Sequence, residues 1–131
     1  MNHVMQKQKL KILQDQFTIH RLPAGSEIPV EIYQSPFYTI VNTDEELSVV
    51  CSSSIDLKAE KSDEGWSCIK VAGPLNLSMT GIIAGISDVL AKSQIGIFTI
   101  STYDTDYVLV RTTELSRARQ ALTGSGYIIE I

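Results

Sequence analysis

The sequence predicts an α+β protein whose C-terminal half is a ferredoxin-like unit with the order β-α-β-β-α-β. Two stretches of that half have the apolar spacing of an amphipathic helix, and runs rich in β-branched and aromatic residues flank them. A hydrophilic segment, residues 52–65, separates the two halves of the chain. The order of elements is typical of two helices packed on one face of a four-stranded antiparallel sheet.

The N-terminal half is predicted to consist mainly of strands. Residues 1–9 are expected to be a frayed lead-in, and residues 23–36 a turn-rich connection. Thr43, followed by Glu46 three residues later, has the capping-box pattern and predicts a single helical turn. Strands are predicted at residues 10–22, 37–41 and 47–51.

The C-terminal half contains both predicted helices. The first runs from about Thr80 to Ser93 and carries a stripe of apolar residues that is about 100° wide. The second runs from Glu114 to about Thr123, and Gly126 follows it as a stop signal. Strands are predicted at residues 66–71, 95–103, 107–111 and 127–131.

These elements divide the chain into three parts. They are a lead-in at residues 1–9, an N-terminal half at residues 10–64 and a C-terminal half at residues 65–131. The order strand, helical turn, strand at residues 37–51 parallels the order strand, helix, strand at residues 107–131. The N-terminal half is therefore interpreted as a degenerate second copy that has lost its first helix.

The composition argues against several classes of partner. The chain has 131 residues, of which 44% are hydrophobic and 20% are charged, and its net charge is −4. A nucleic-acid partner, which usually meets a basic face, is therefore not expected. No apolar run reaches about 18 residues, so no membrane span is expected. The polar start has no signal-peptide stretch, which predicts a cytoplasmic protein.

The cysteines and histidines do not have the spacing of a metal site. Cys51 and Cys68 could be neighbours in a sheet, but buried free thiols are the better interpretation in a reducing compartment. No CxxC pair or histidine cluster accompanies them, so neither zinc nor another metal is predicted. His20 alternates with apolar residues in a strand and is expected at the surface.

The segment 73–87 is the most informative part of the chain for function. It leads from a strand end through small and polar residues into an amphipathic helix. A helix start carries unpaired backbone N–H groups and a partial positive charge, and Gly81 has no side chain to keep a ligand away. The segment therefore suits a carboxylate. In the alternative interpretation Thr80 caps the helix and Gly81 fits against the sheet.

The hairpin after the second predicted strand of the C-terminal half offers two carboxylates. Asp104 and Asp106 can bond to nearby backbone groups and stabilise the turn. Alternatively, Asp106 points into a groove and pairs with a ligand ammonium group, while Asp104 caps the turn.

No catalytic arrangement is predicted. Ser101, Thr102 and Tyr103 offer hydroxyls, but no histidine or lysine base with an orienting partner is placed to activate them. The glycines around Gly81 do not form a phosphate-binding loop, because no Lys-Ser/Thr pair follows them. We therefore predict neither an enzyme nor a cofactor.

Five short sequence segments occur in order within residues 15–131. They are Thr43-Asp-Glu-Glu-Leu-Ser-Val-Val-Cys, Gly65-Trp, Val71-Ala-Gly-Pro-Leu, Thr80-Gly-Ile and Ser101-Thr-Tyr-Asp-Thr-Asp-Tyr. Together they resemble the small bacterial ACT-domain proteins, which also resemble the amino-acid-binding half of the cytosolic arginine sensors of animal growth signalling.

The resemblance implies a tandem pair of ACT domains that binds a small amino acid where the two domains meet. It implies that backbone groups of one strand and of the helix start contact the ligand's α-carboxylate and α-amine. An acidic residue would take the amine or a basic side chain. The matching positions are Ser48, Val49, Thr80, Gly81, Ile82, Thr105 and Asp106. The animal sensors join two such pairs, so the corresponding pairing here would require a homodimer.

We therefore expect a non-enzymatic regulatory or sensing module that binds a small amino acid. The ligand would stabilise one arrangement of domains or subunits through its differential affinity. Exposed sheet edges need covering, which also favours a homodimer. The alternative is a protein-interaction module that uses the same edges and grooves without a small-molecule ligand.

Overall fold

The structure is a computed structural model that describes residues 9–72 and 81–130. It divides into an N-terminal unit, residues 15–66, and a C-terminal unit, which comprises the described residues before and after that range. Two long strands, β1 at Lys9–Leu22 and β4 at Lys61–Val71, contribute residues to both units. Both strands are therefore shared by the two units.

The N-terminal unit combines neighbouring strands with one short helix. Its own elements are α1 at Val30–Tyr33, β2 at Thr39–Asn42 and β3 at Leu47–Ser52. β3 lies between β2 and β1 and is antiparallel to both, with Val49 opposite Ile40 on one side and His20 on the other. The buried apolar side chains of its core are Leu22, Ile32, Leu47, Val49, Cys51 and Leu57.

The helical turn predicted at Thr43–Glu46 is wrong, because these residues close a hairpin. β2 and β3 pair directly on either side of them, with Asn42 opposite Leu47. The Thr43 backbone N–H donates to the Glu46 carbonyl at 2.8 Å. The Thr43 hydroxyl accepts from the backbone N–H groups of Glu45 and Glu46, each at 3.1 Å. The polar contacts of the sequence pattern are present, but they stabilise a turn between strands.

Two segments predicted as irregular contain regular structure. The connection at residues 23–36 holds α1, which begins after Pro29, a residue whose fixed φ suits a helix start. The hydrophilic segment 52–65 ends in the first residues of β4, and just before them the Glu60 N–H donates to the Arg21 carbonyl at 3.0 Å. The first residues of β4 are exposed, which explains why a paired strand has a polar sequence.

His20 is buried, so its predicted surface position is wrong. It is only 5% exposed, because it lies on the same face of β1 as Leu22 and opposite Val49. Its Nδ1 is 2.8 Å from the Ser62 hydroxyl oxygen. Its Nε2 is buried and has no hydrogen-bond partner within the described residues. Burial lowers the pKa of His20, and the charge of Glu64 opposes this effect only in part.

Acid should therefore destabilise the fold through His20. The pKa of His20 in the folded state lies below the ordinary value of 6.5, so the unfolded chain takes up the proton first. The stability that is present above pH 6.5 is lost as the pH falls below 6.5 toward the lower pKa of the folded state. The free energy of unfolding, measured with urea at a series of pH values below 6.5, should fall less steeply for His20→Gln than for the wild type. The two slopes should differ by at most about 1.4 kcal/mol per pH unit, the value for one proton. His3→Gln removes the other histidine and is the control. Equal acid sensitivity of His20→Gln and the wild type would contradict this account.

The C-terminal unit has the predicted order β-α-β-β-α-β, which confirms the ferredoxin-like α+β fold class. After β4 follow α2 at Ile82–Lys92, β5 at Ile97–Ser101, β6 at Asp106–Arg111, α3 at Leu115–Gly124 and β7 at Ile128–Glu130. A short 3₁₀ turn at Thr112–Glu114 leads into α3. Among the described residues, no helix has the length and apolar character needed to cross a membrane.

The sheet of this unit has one strand more than the predicted four. β7 pairs in parallel with the start of β1, where Lys9 lies opposite Ile128. β1 is also next to β4, and the Ala72 N–H donates to the Lys9 carbonyl at 2.8 Å. The strand order in the unit is therefore β7-β1-β4-β6-β5. Local patterns cannot predict this insertion, because it joins the two ends of the chain.

The core of the C-terminal unit lies under α2 and α3. The predicted apolar stripe of α2 is confirmed, since Ile86 and Leu90 are fully buried and Ile82 and Val89 pack beside them. The buried members of the core are Leu10, Ile69, Val71, Ile86, Leu90, Ile95, Val108, Val110, Ala118, Leu122 and Tyr127. Cys68, in this unit, and Cys51, in the other, are free and buried thiols, as predicted.

Both helices of this unit end in the same way. The backbone N–H of Ile95 bonds back into α2 and that of Tyr127 bonds back into α3, each at 3.0 Å. The residue before each has a positive φ, 59° at Gln94 and 98° at Gly126. This ending favours glycine at the left-handed position, because other residues place Cβ too close to the backbone.

Exchanging these two residues gives a matched pair of stability tests. Gln94→Gly should stabilise the fold by about 0.5–1 kcal/mol, because it removes the backbone strain at φ > 0. Gly126→Gln should destabilise it by a similar amount, because it introduces that strain. Thermal unfolding monitored by circular dichroism measures both. Melting temperatures that move in the same direction would contradict this explanation of the helix ends.

Candidate functional site

The end of β4 and the β5–β6 hairpin meet in the C-terminal unit. The Thr105 hydroxyl, on the hairpin, donates to the carbonyl of Val71, the last residue of β4. The chain continues from this point into the segment that leads to α2, and Ile82 packs against the same apolar core as Val71. Most of the predicted ligand-binding residues belong to these three parts of the unit.

Gly81 immediately precedes α2 and has a left-handed backbone. Its φ is 80° and its ψ is −2°, and no described atom would lie within 4 Å of an added Cβ. Its carbonyl accepts the first hydrogen bond of the helix, from the Gly85 N–H at 2.9 Å. The described residues provide no side-chain cap for this helix, and its first turn has no acidic residue. The first N–H groups, beginning with that of Ile82, are therefore suited to donate hydrogen bonds to an anion.

Thr105 is a buried structural residue as well as a predicted site residue. It is 6% exposed, and its hydroxyl is engaged by the Val71 carbonyl. Its backbone closes the hairpin, because the Thr102 N–H donates to the Thr105 carbonyl at 2.8 Å. The Thr102 hydroxyl accepts in turn from the Thr105 N–H at 3.2 Å. Thr105 therefore fixes the hairpin against the end of β4, and its hydroxyl is not available to donate to a ligand.

Asp106 is the first residue of β6 and is half-buried. One of its carboxylate oxygens accepts a hydrogen bond from the Ser101 hydroxyl at 2.6 Å. A carboxylate has room for several further donors, so this contact orients Asp106 without exhausting it. The hairpin also carries Asp104, whose charge contributes, after burial and Cys68, to the raised pKa of Tyr107. Two acidic groups thus make this hairpin electrostatically suited to an ammonium group.

Ser48 and Val49 lie in β3 of the N-terminal unit. Val49 is fully buried in the core of that unit, whereas Ser48 is half-buried. β3 has a paired strand on each side, so the backbone groups of both residues face neighbouring strands and not an open sheet edge. The hydroxyl of Ser48 is therefore the group of this pair best suited to contact a ligand.

Two further residues near the start of α2 are Thr80 and Gly85. Thr80, together with the rest of residues 73–80, lies outside the described residues. Gly85 lies one helical turn after Gly81, and an added Cβ there would lie 3.0 Å from the Tyr127 hydroxyl oxygen. Glycine at this position thus lets α2 approach the buried Tyr127 closely.

The structure reveals site contacts that sequence reasoning missed. Val71 and Ser101 were not candidates, yet they position Thr105 and Asp106. Both residues stand in segments that carry the family resemblance, but nothing in those segments indicates these contacts, because Val71 acts through its backbone and a serine next to a turn is common. The C-terminal unit therefore contains N–H donors at the start of α2 and carboxylates on the β5–β6 hairpin, which are the kinds of group that bind the two ends of a zwitterion.

Comparison with protein families matches the two units separately. Residues 61–124 match the family model of the ACT domain. Residues 15–55 match a second family model, which is described as an N-terminal domain. The first match spans the two-helix region of the C-terminal unit, and the second lies within the N-terminal unit. No curated protein sequence matches the chain.

Several solved structures are similar to this chain. Protein Atu0741 from Agobacterium tumefaciens is 38% identical, with a TM-score of 0.86 over 95% of this chain and 92% of that protein. A Vibrio cholerae protein of unknown function, described as a possible transport protein, is 17% identical, with a TM-score of 0.69 over 90% of this chain and 89% of that protein.

The fold also occurs within a larger enzyme. Aspartate kinase from Clostridium acetobutylicum, described as an allosteric enzyme, is 15% identical, with a TM-score of 0.65 over 85% of this chain and 33% of that protein. At this identity the likeness establishes the fold alone. The identity and coverage with the Agobacterium protein establish more: the chain belongs to the family of that protein, and its C-terminal unit is an ACT domain, a regulatory module for small ligands.

Proposed function

We propose that this protein is a non-enzymatic sensor that binds a small amino acid through a tandem pair of ACT-like units. The ligand's α-carboxylate accepts from the N–H groups that begin with Ile82, and its ammonium group pairs with Asp106. Ser48, Val49, Thr80, Gly81 and Thr105 complete the set of site residues. The protein acts in the cytoplasm as a homodimer, and the ligand stabilises one subunit arrangement over another.

The observation that supports this proposal best is the conformation of Gly81. A left-handed residue without a side chain stands before the first turn of α2, which no side chain of the described residues caps. The same unit holds two carboxylates on the β5–β6 hairpin, close to the end of β4. An N–H cluster together with carboxylates is complementary to a zwitterion and less suited to a simple anion.

The proposal is tested by thermal unfolding in the presence of each of the twenty amino acids. A ligand that binds only the folded protein stabilises it by about 2.7 kcal/mol at a concentration 100 times its dissociation constant. We expect a concentration-dependent rise in melting temperature with one or two amino acids. If none of them changes the melting temperature at millimolar concentration, the sensor proposal fails.

Two matched glycine variants locate the site. Gly81 and Gly25 both have a left-handed backbone, with φ of 80° and 76°, and no described atom lies near their added Cβ. Asparagine tolerates this conformation better than other residues with a side chain. Without ligand, the two variants should have similar melting temperatures. Gly81→Asn should abolish the ligand-induced shift in melting temperature, whereas Gly25→Asn should retain it. A retained shift in Gly81→Asn would place the ligand elsewhere.

A further inference from the structure

The charges of this chain are segregated between its two units. Residues 15–66 contain ten acidic and three basic side chains, which gives a net charge of −7. The rest of the chain contains five acidic and eight basic side chains, which gives a net charge of +3. The modest net charge of −4 for the whole chain therefore conceals two units of opposite sign.

The N-terminal unit presents exposed apolar side chains beside one carboxylate on α1. Ile32 points inward and is fully buried, whereas Val30 is 61% exposed and Tyr33 is 53% exposed. The Tyr33 ring packs edge-on against Tyr38 at a centroid distance of 5.8 Å, which holds it in place. Glu31 is exposed on the same helix. We call Val30, Glu31 and Tyr33 the α1 face.

The C-terminal unit presents a groove with a cationic side chain on α3. The groove has a volume of about 520 Å³ and is lined by Thr112, Leu115, Ser116, Arg119, Gln120 and Thr123. Leu115 provides an apolar floor because it is half-buried against the core. Arg117, on the same helix, is already engaged by Glu114 and by the Ser93 carbonyl at 2.6 Å. Arg119 has no ion-pair partner among the described residues. We call this surface the α3 groove.

We propose that the α1 face of one copy of this chain docks in the α3 groove of a second copy. Tyr33 and Val30 pack against Leu115, and Glu31 pairs with Arg119. A two-fold axis repeats the contact, so that each copy contributes one α1 face and one α3 groove. The proposal rests on the homodimer part of the proposed function and specifies which surfaces meet.

Charge complementarity favours this arrangement over its alternatives. Pairing two N-terminal units would place charges of −7 and −7 together, and pairing two C-terminal units would place two positive units together. In the proposed dimer the N-terminal unit of each copy meets the C-terminal unit of the other, so charges of opposite sign come together at both contacts. Attraction between exposed charges is screened over about 8–10 Å at 0.10–0.15 M salt, so the dimer should be salt-sensitive. An exclusively apolar contact would not be weakened by salt.

Sedimentation velocity over a range of protein concentrations tests the proposal. The wild type should dimerise at about 0.05 M salt, with a dissociation constant at least about tenfold higher at 0.5 M. Glu31→Arg and Arg119→Glu should each weaken the dimer by about tenfold or more. The double variant Glu31→Arg/Arg119→Glu should recover most of the affinity, because it restores an opposite-charge pair at both contacts. An equimolar mixture of the two single variants should recover it for the same reason.

Asp44→Arg is the matched control. It changes the charge of the N-terminal unit by the same amount, but Asp44 lies beyond the end of β2 that is remote from Tyr38. It should weaken the dimer much less than Glu31→Arg. A monomeric wild type at low salt would overturn the proposal, as would a dimer indifferent to both single reversals or a double variant no tighter than its weaker parent. None of these results bears on the amino-acid-induced melting shift, so failure of this proposal and failure of the sensor proposal are distinguishable.

Discussion

Raising the pH above about 9 should destabilise this protein strongly through Cys68. Burial raises the pKa of the Cys68 thiol from its ordinary value of 9.0 to about 12. The unfolded chain therefore loses this proton first as the pH rises, and stability that is fully present below pH 9 is lost progressively toward pH 12. One proton is worth about 1.4 kcal/mol for each pH unit, so the loss amounts to about 4 kcal/mol over this range.

The measurement is urea unfolding at a series of pH values for the wild type and Cys68→Ala. The variant lacks the titrating thiol, and its stability should fall with a shallower slope above pH 9. Burial also raises the pKa of Tyr107 and Tyr127, so some alkaline slope should remain. Burial also raises the pKa of the Cys51 thiol, so Cys51→Ala, which removes the thiol of the other unit, should lower the slope less than Cys68→Ala does. Equal slopes for Cys68→Ala and the wild type would contradict the assignment.

The elements that the sequence predicts well are those whose signal is local. The apolar stripe of α2 and the glycine after α3 depend on residues within one or two turns of each other, and both occur as expected. The insertion of β1 between β7 and β4 depends on pairing between the ends of the chain, for which no local pattern exists. The hairpin at Thr43 fails for a related reason. The same hydroxyl contacts can begin a helix or close a turn, and strand pairing decides between them.

The candidate site shows the same distinction. Gly81 could be predicted, because a small residue before an amphipathic stripe indicates a helix start. Outside the site, the burial of His20 could not be predicted, because alternation with apolar residues does not tell which face of a strand is covered. The part that Val71 plays is also hidden, because a backbone carbonyl has no sequence signature and its donor lies 34 residues away. The place of a candidate residue in a strand or at a helix start is therefore easier to predict than the contacts that hold it there.

Thr105→Val should reduce both stability and ligand response, because the Thr105 hydroxyl joins the hairpin to β4. The substitution keeps the shape of the side chain but leaves the Val71 carbonyl without its donor. An unsatisfied buried acceptor costs about 1–3 kcal/mol. The end of β4 would also lose its anchor at the point where the chain leaves for α2. We therefore expect a lower melting temperature together with a smaller shift from whichever amino acid stabilises the wild type.

Two further variants separate the hydroxyl from the rest of the side chain. Thr105→Ser keeps the donor and removes one methyl group, which costs about 0.5–1.5 kcal/mol by analogy with Ile→Val, and it should keep the ligand response. Thr102→Val alters the exposed tip of the same hairpin, where water can replace the lost contact, and should have the smallest effect. If Thr105→Ser lost the ligand response as fully as Thr105→Val, the methyl contact would be the important one. Retention of the response by both variants would mean that the hairpin and the helix start contribute independently to binding.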